Sequence, residues 1–157
     1  MIYRYLSVFT IFMVLFTVGC SYRFVDSTPA SDYALVSVRN ATSEPDLASL
    51  LEEEMRRNGG FSRRSESRLS ITVSNFTERV GSVSSGGIPV RQNLTMEVAW
   101  KVEGTQLKQA TFGKEVAAQS YPYSADLPTL DWNRNAAIRL LTEKAARSVL
   151  ERLGKGL

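Results

Sequence analysis

The sequence predicts an α+β domain: a four-stranded sheet with two helices packed on one face, in the order β-α-β-β-β-α. Three observations lead there. Residues 94–102 carry a large apolar side chain at every second position, which is the period of a half-buried strand. Two other segments, near 47–55 and 138–153, repeat apolar residues at helical spacing. A sheet with one apolar face and two amphipathic helices is a complete arrangement, because the helices cover that face and leave the other polar.

The elements follow in chain order. Tyr33–Val38 is short, apolar and followed by the turn-prone Arg39-Asn40, so it reads as a strand. Ser43 is placed to cap a helix, with Glu44 and Asp46 putting negative charge in its first turn and Pro45 tolerated there. Leu47, Leu50, Leu51 and Met55 form its apolar face, and Asn58-Gly59-Gly60 ends it with residues that accept positive φ. Leu69, Ile71 and Val73 alternate with Ser70, Thr72 and Ser74 as a second strand. In the third, Leu94, Met96, Val98, Trp100 and Val102 share the buried face. Gly104 turns into a fourth strand, roughly Gln106–Tyr121, with Phe112, Val116 and Ala118 on its apolar face and Lys114 interrupting it. Pro122 and Pro128 punctuate a loop. Asp131 is placed to cap a last helix running to about Leu153, with Ile138, Leu141, Ala145, Val149 and Leu153 as its stripe.

Composition excludes several functions. The chain has 157 residues, suited to one domain, and a net charge of +3 with its basic residues dispersed, which argues against a nucleic-acid binder. There is no histidine, the commonest general base and transition-metal ligand. No Gly-x-Ser-x-Gly, Ser-x-x-Lys or Gly-x-x-x-x-Gly-Lys motif occurs. No catalytic residue, metal or cofactor is therefore expected. Glu52–Glu54 reads as a solvated helix face, and Trp100 and Trp132 as core or helix-entry packing. Asn-x-Ser/Thr triplets at Asn40, Asn75 and Asn93 are read as chance.

The single cysteine has a placement that explains it. Leu6–Val18 is almost wholly apolar, Arg4 precedes it, and the run breaks at Gly19-Cys20, short of the roughly 20 residues a membrane-spanning helix needs. Thr17-Val18-Gly19-Cys20 resembles the lipobox of bacterial lipoproteins, with Thr17 where that pattern usually has Leu. The resemblance implies a signal peptide over residues 1–19 and a mature chain that begins at Cys20, whose thiolate forms a thioether to diacylglycerol. Each buried methylene stabilises attachment by roughly 0.8 kcal/mol, so several acyl chains give long-lived anchoring. Residues 20–32 then form the lipidated start and a short tether, and 33–157 the domain. Ser21 rather than Asp after the cysteine favours the outer membrane.

Residues 77–92 read as a long loop, Ser- and Gly-rich at its centre, with Val80, Val83, Ile88 and Val90 between Arg79 and Arg91. Two readings are open: an adaptable tip that meets an amphiphile or a protein wall, with arginines pairing phosphate, or an extended flexible hairpin with incidental valines.

Four passages carry a family resemblance. Gly19-Cys20-Ser-Tyr-Arg-Phe24 resembles a mature lipoprotein start. Val38-Arg-Asn-Ala-Thr-Ser-Glu-Pro45, its leucine-rich helix and Arg-Arg-Asn-Gly-Gly60 resemble a first strand-helix unit. Arg91-Gln-Asn-Leu-Thr-Met-Glu-Val98 resembles a central hairpin, and Asp131 to Leu153 a closing helix. Together they resemble the LPS-assembly lipoproteins of the LptE family. The resemblance implies a non-enzymatic outer-membrane lipoprotein that plugs and helps assemble the LptD β-barrel and binds lipopolysaccharide, with Arg91, and secondarily Arg79, as lipid-binding residues. The competing expectation is a periplasmic adaptor lipoprotein that regulates an envelope enzyme such as a peptidoglycan synthase, which a longer tether would favour.

Overall fold

The computed structural model describes residues 30–104 and 110–155. The elements are β1 (Tyr33–Asn40), α1 (Leu47–Gly59), β2 (Ser67–Val83), β3 (Pro89–Glu103), β4 (Thr111–Pro122) and α2 (Leu127–Gly154). The four strands form one mixed sheet in the order β1-β2-β3-β4. β1 and β2 are parallel, and the other neighbours antiparallel. Parallel neighbours need a crossover, and α1 supplies it. Both helices lie on one face, as the sequence predicts.

The core is built from that face. Leu47, Leu51 and Met55 of α1, Leu69, Ile71 and Val73 of β2, and all five alternating residues of β3 from Leu94 to Val102 are buried. α2 closes it with Ile138, Leu141, Val149 and the small Ala137, Ala145 and Ala146. Each such leucine or valine stabilises the fold by roughly 1.5–3 kcal/mol relative to exposure.

Several local expectations are corrected. α1 begins later than Ser43 implies. Asn40 Oδ1 accepts from the Thr42 N–H at 2.9 Å, and its amide donates to the Glu44 carbonyl at 2.5 Å. This side-chain turn carries the chain past Ser43 and Pro45 to Asp46, which sits at φ 60° and starts the helix with no side-chain cap. At the other end Gly60 takes φ 63°, as expected of the Gly pair. α2 starts at Leu127, earlier than Asp131. Its cap is Asp126, whose carboxylate accepts from the Thr129 N–H at 3.1 Å, with Pro128 in the first turn, where its missing donor costs nothing. Trp132 is 72% exposed and packs at no helix entry; Trp100 lies in the core as expected.

Two strand assignments change more. Residues 77–92 are mostly strand: β2 runs to Val83, β3 starts at Pro89, and the turn is only residues 84–88, with Gly87 at φ 77°. β4 has the opposite facing from the one expected. Ala117 and Tyr121 are buried, whereas Phe112 and Val116 are 76% and 59% exposed and Ala118 lies outward with them. Residues 105–109, part of the expected fourth strand, lie outside the described residues.

Candidate functional site

The β2–β3 hairpin extends beyond the sheet body, so Val80, Val83, Ile88 and Val90 are all exposed. Directly opposed residues in an antiparallel pair share a face. Arg79 opposes Asn93, and Arg91 is two residues from Asn93 on the same strand. Arg79 and Arg91 therefore share the sheet face turned away from the helices. Each is solvent-exposed and has no carboxylate partner among the described residues.

A bulge shapes this surface. The register shifts between Val80 and Ser82, leaving Gly81 unpaired. A Cβ on Gly81 would stand 2.6 Å from the Asn93 side-chain oxygen, so glycine lets the Asn93 amide lie against the neighbouring strand. Asn93 Oδ1 accepts from Ser120 Oγ at 2.8 Å. Beside these residues is a shallow recess of about 450 Å³ lined by Arg91, Asn93, Thr95, Gln119, Ser120 and Lys144. Lys144 Nζ reaches it from α2, held by Gln119 Oε1 at 2.7 Å and the Ala118 carbonyl at 3.4 Å. The lining offers cations, amides and hydroxyls and no carboxylate, the chemistry that accepts an anionic oxygen cluster.

On the opposite face, an ion-pair network fixes the base of the hairpin. Arg134 of α2 donates from Nη1 and Nη2 to Glu44 at 2.9 and 2.7 Å, and from Nε to Glu78 of β2 at 2.9 Å. Tyr121 Oη of β4 donates to the other Glu78 oxygen. Hydrogen bonding to Glu44 drives the Arg134 pKa above its ordinary value, against burial, so the guanidinium stays charged. Burial, then the bond to Glu78, raises the Tyr121 phenol above its ordinary range. The network ties the β1–α1 connection, β2, β4 and α2 together.

The structure thus brings Arg79 and Arg91 together and adds Lys144, Asn93 and Ser120, which sequence reasoning missed. Lys144 carries no local signal, since only the packing of α2 against β4 brings it to the hairpin. Cys20 lies outside the described residues. Among the described residues no group of three acidic or sulfur ligands is placed to hold a metal, and no helix is long and apolar enough to cross a membrane.

A family model described as lipopolysaccharide-assembly, LptE, matches residues 30–153. Rare lipoprotein B from Shewanella oneidensis has the same fold, with a TM-score of 0.58 at 15% identity over 77% of this chain and 94% of that one. A minor lipoprotein from Acinetobacter baumannii gives 0.52 at 17% identity over 80% and 92%. A crystal structure from Caulobacter crescentus gives 0.58 at 15% identity over 80% and 89%. No curated protein matches the sequence.

Proposed function

Because the chain belongs to the lipopolysaccharide-assembly family LptE, we propose that its hairpin and the adjoining recess bind lipopolysaccharide during that assembly. The observation that carries this reading is the pairing of two chemistries at one end of the sheet. Arg79, Arg91 and Lys144 present cations without carboxylate partners among the described residues, and the tip beside them exposes four branched aliphatic side chains. A lipid with phosphates and acyl chains has the complementary pattern. Arginine forks suit phosphate oxygens, and the low charge of the tip suits hydrocarbon.

The binding test uses the mature chain and purified lipopolysaccharide. Arg91→Glu and Lys144→Glu are each expected to weaken binding about ten-fold, close to 1.4 kcal/mol. Arg63→Glu, at the far end of the sheet, is expected to leave it unchanged. Equal binding by all three variants would remove the recess from the site.

The finer parts of the role rest on the family and on the N-terminal sequence. The reading places the protein at the outer membrane, attached through acylated Cys20, with an LptD-type β-barrel as partner and no bond-making chemistry of its own. The mass of the native polypeptide tests the anchor: an N-terminus other than Cys20, or an unacylated sulfur, would refute it. Recovery from outer membranes without a large β-barrel would refute the partnership.

A further inference from the structure

We propose that the outer edge of β4 between Phe112 and Val116 is a strand-addition site for an extended segment of a partner protein. β4 ends the sheet, so half of its backbone groups face away from β3. The Tyr123 N–H donates to the Val90 carbonyl at 3.0 Å, one step beyond the Arg91–Pro122 pair. Bonding and outward residues alternate along an antiparallel edge. Odd-numbered residues of β4 therefore bond to β3, and the even-numbered ones point outward.

The outward carbonyls fall into two sets. Towards the hairpin, each has a side-chain donor. Asn133 Nδ2 reaches Pro122 O at 3.3 Å, Gln119 Nε2 reaches Ser120 O at 2.9 Å, and Lys144 Nζ reaches Ala118 O at 3.4 Å. At Phe112, Lys114 and Val116 no donor or acceptor among the described residues meets the outward groups. The pairing of β4 with β3 runs without a bulge. β1, the other edge, is broken by a shift between Leu35 and Ser37. Natural sheets blunt long regular edges because such edges template pairing, and here one half of one edge is left open. Its side chains match the use: Phe112 and Val116 are the exposed apolar pair on this strand.

The chemistry beside the edge selects the occupant. A recess of about 250 Å³ is lined by Trp100, Phe112, Gly113, Lys114, Glu115 and Arg152. The Trp100 Nε1–H is buried and has no acceptor among the described residues, an exception to the rule that buried donors are paired. Its ring crosses to the edge at Gly113, where a Cβ would stand 2.3 Å from Cζ2. Glu115 is engaged by Ser148 at 2.9 Å and Lys114 by Glu97 at 2.5 Å, while Arg152 has no carboxylate partner among the described residues. The occupant is therefore an extended backbone with apolar side chains toward Phe112 and Val116 and an acidic side chain toward Arg152. A closed barrel wall has no free edge to offer, so the segment belongs to a loop or terminus. This surface lies at the opposite end of β4 from Arg91, and its test does not depend on lipid binding.

The test uses the full chain recovered from its own membranes with its bound proteins. The photo-crosslinking residue p-benzoylphenylalanine is placed at position 112 or 116, and crosslinked peptides are mapped by mass spectrometry. Strand addition predicts that both positions label one partner segment at sites four residues apart, and that amide exchange over 111–117 slows at least ten-fold in the complex. Val116→Pro removes an outward N–H and spares the β3–β4 ladder. It is expected to lower recovery of the complex at least ten-fold with a melting temperature within a few degrees of wild type, while Val116→Ala retains it. Labels scattered without register, labels on a second copy of this chain, unchanged exchange, or recovery of the chain alone would each overturn the proposal. So would equal loss in Val116→Ala and Val116→Pro. If Val116→Pro fails to fold, Lys114→Pro against Lys114→Ala makes the same comparison.

Discussion

Arg134 is the charged side chain whose loss should cost the domain most. Arg134→Met keeps the aliphatic stem and removes the charge. Three charge-assisted hydrogen bonds to Glu44 and Glu78 disappear, and two carboxylates are left facing an apolar group. Fully buried, such bonds contribute about 1.5–3 kcal/mol each. The three side chains here are 26%, 18% and 30% exposed, so solvent takes up part of the loss, and about 1 kcal/mol per bond is the appropriate figure. The sum is about 3 kcal/mol, which lowers the melting temperature of a domain this size by roughly 10 °C. The exposed Arg57–Glu53 pair on α1 gives the contrast, with Arg57→Met costing about 0.5 kcal/mol or less. Urea denaturation of the mature chain measures both. Stranded charge is the larger part of the penalty, so adding Glu44→Gln and Glu78→Gln to Arg134→Met should restore at least half of it. A cost for Arg134→Met no larger than that for Arg57→Met would refute the reasoning, as would a triple variant no more stable than the single one.

Two further outcomes follow from the same packing. Gly113→Ala drives a Cβ to 2.3 Å from the Trp100 ring, which sits in the core and cannot retreat; it should cost about 1–3 kcal/mol and shift Trp100 emission in a Trp132→Phe background, and unchanged stability with unchanged emission would contradict the close approach. Tyr121 has a phenol pKa raised from the ordinary 10.0, so the unfolded chain releases that proton first. Its contribution to stability is whole below about pH 10 and declines as pH rises beyond it. The melting temperature of wild type should therefore fall more steeply above pH 10 than that of Tyr121→Phe, and parallel curves would show that burial and the bond to Glu78 do not hold the phenol protonated.

The fold was legible where one face alone meets the core. β3 carries a large apolar residue at every second position from Leu94 to Val102 because its helix-facing side is buried, with α2 packed against it. α1 and α2 were legible for the same reason. Their starts were not, because caps depend on turns that propensity ranks equally. Asn40 and Thr42 form a turn that delays α1, and Asp126 reaches the Thr129 N–H before Asp131 has any role. The hairpin arms were hidden because both faces are exposed, so no apolar alternation marks residues 77–92 as strand. Of the candidate site, Arg79 and Arg91 were legible as cations flanking an unusual segment. Lys144 was not, since it lies on a solvated stretch of α2 and acquires its place only through Gln119 and the β4 edge.

The reversed facing of β4 is informative for function. A buried strand face is ordinarily apolar, and on that rule Phe112 and Val116 belong inside. Here the helix-facing positions are Gly113, Glu115, Ala117, Gln119 and Tyr121. Each of their polar groups has a partner: Ser148 for Glu115, Lys144 for Gln119, Glu78 for Tyr121. Gly113 yields its space to Trp100. The inner face is thus satisfied by hydrogen bonds, and the apolar residues remain for the outer one. In a strand that nothing else touched, this arrangement would be costly, since exposed Phe and Val on a regular edge invite aggregation. Side-chain donors blunt the edge from Ala118 to Pro122, beside the cationic recess, and stop before Val116. The same strand thereby separates a wet, cationic end suited to phosphate from an apolar, open-edged end suited to another backbone.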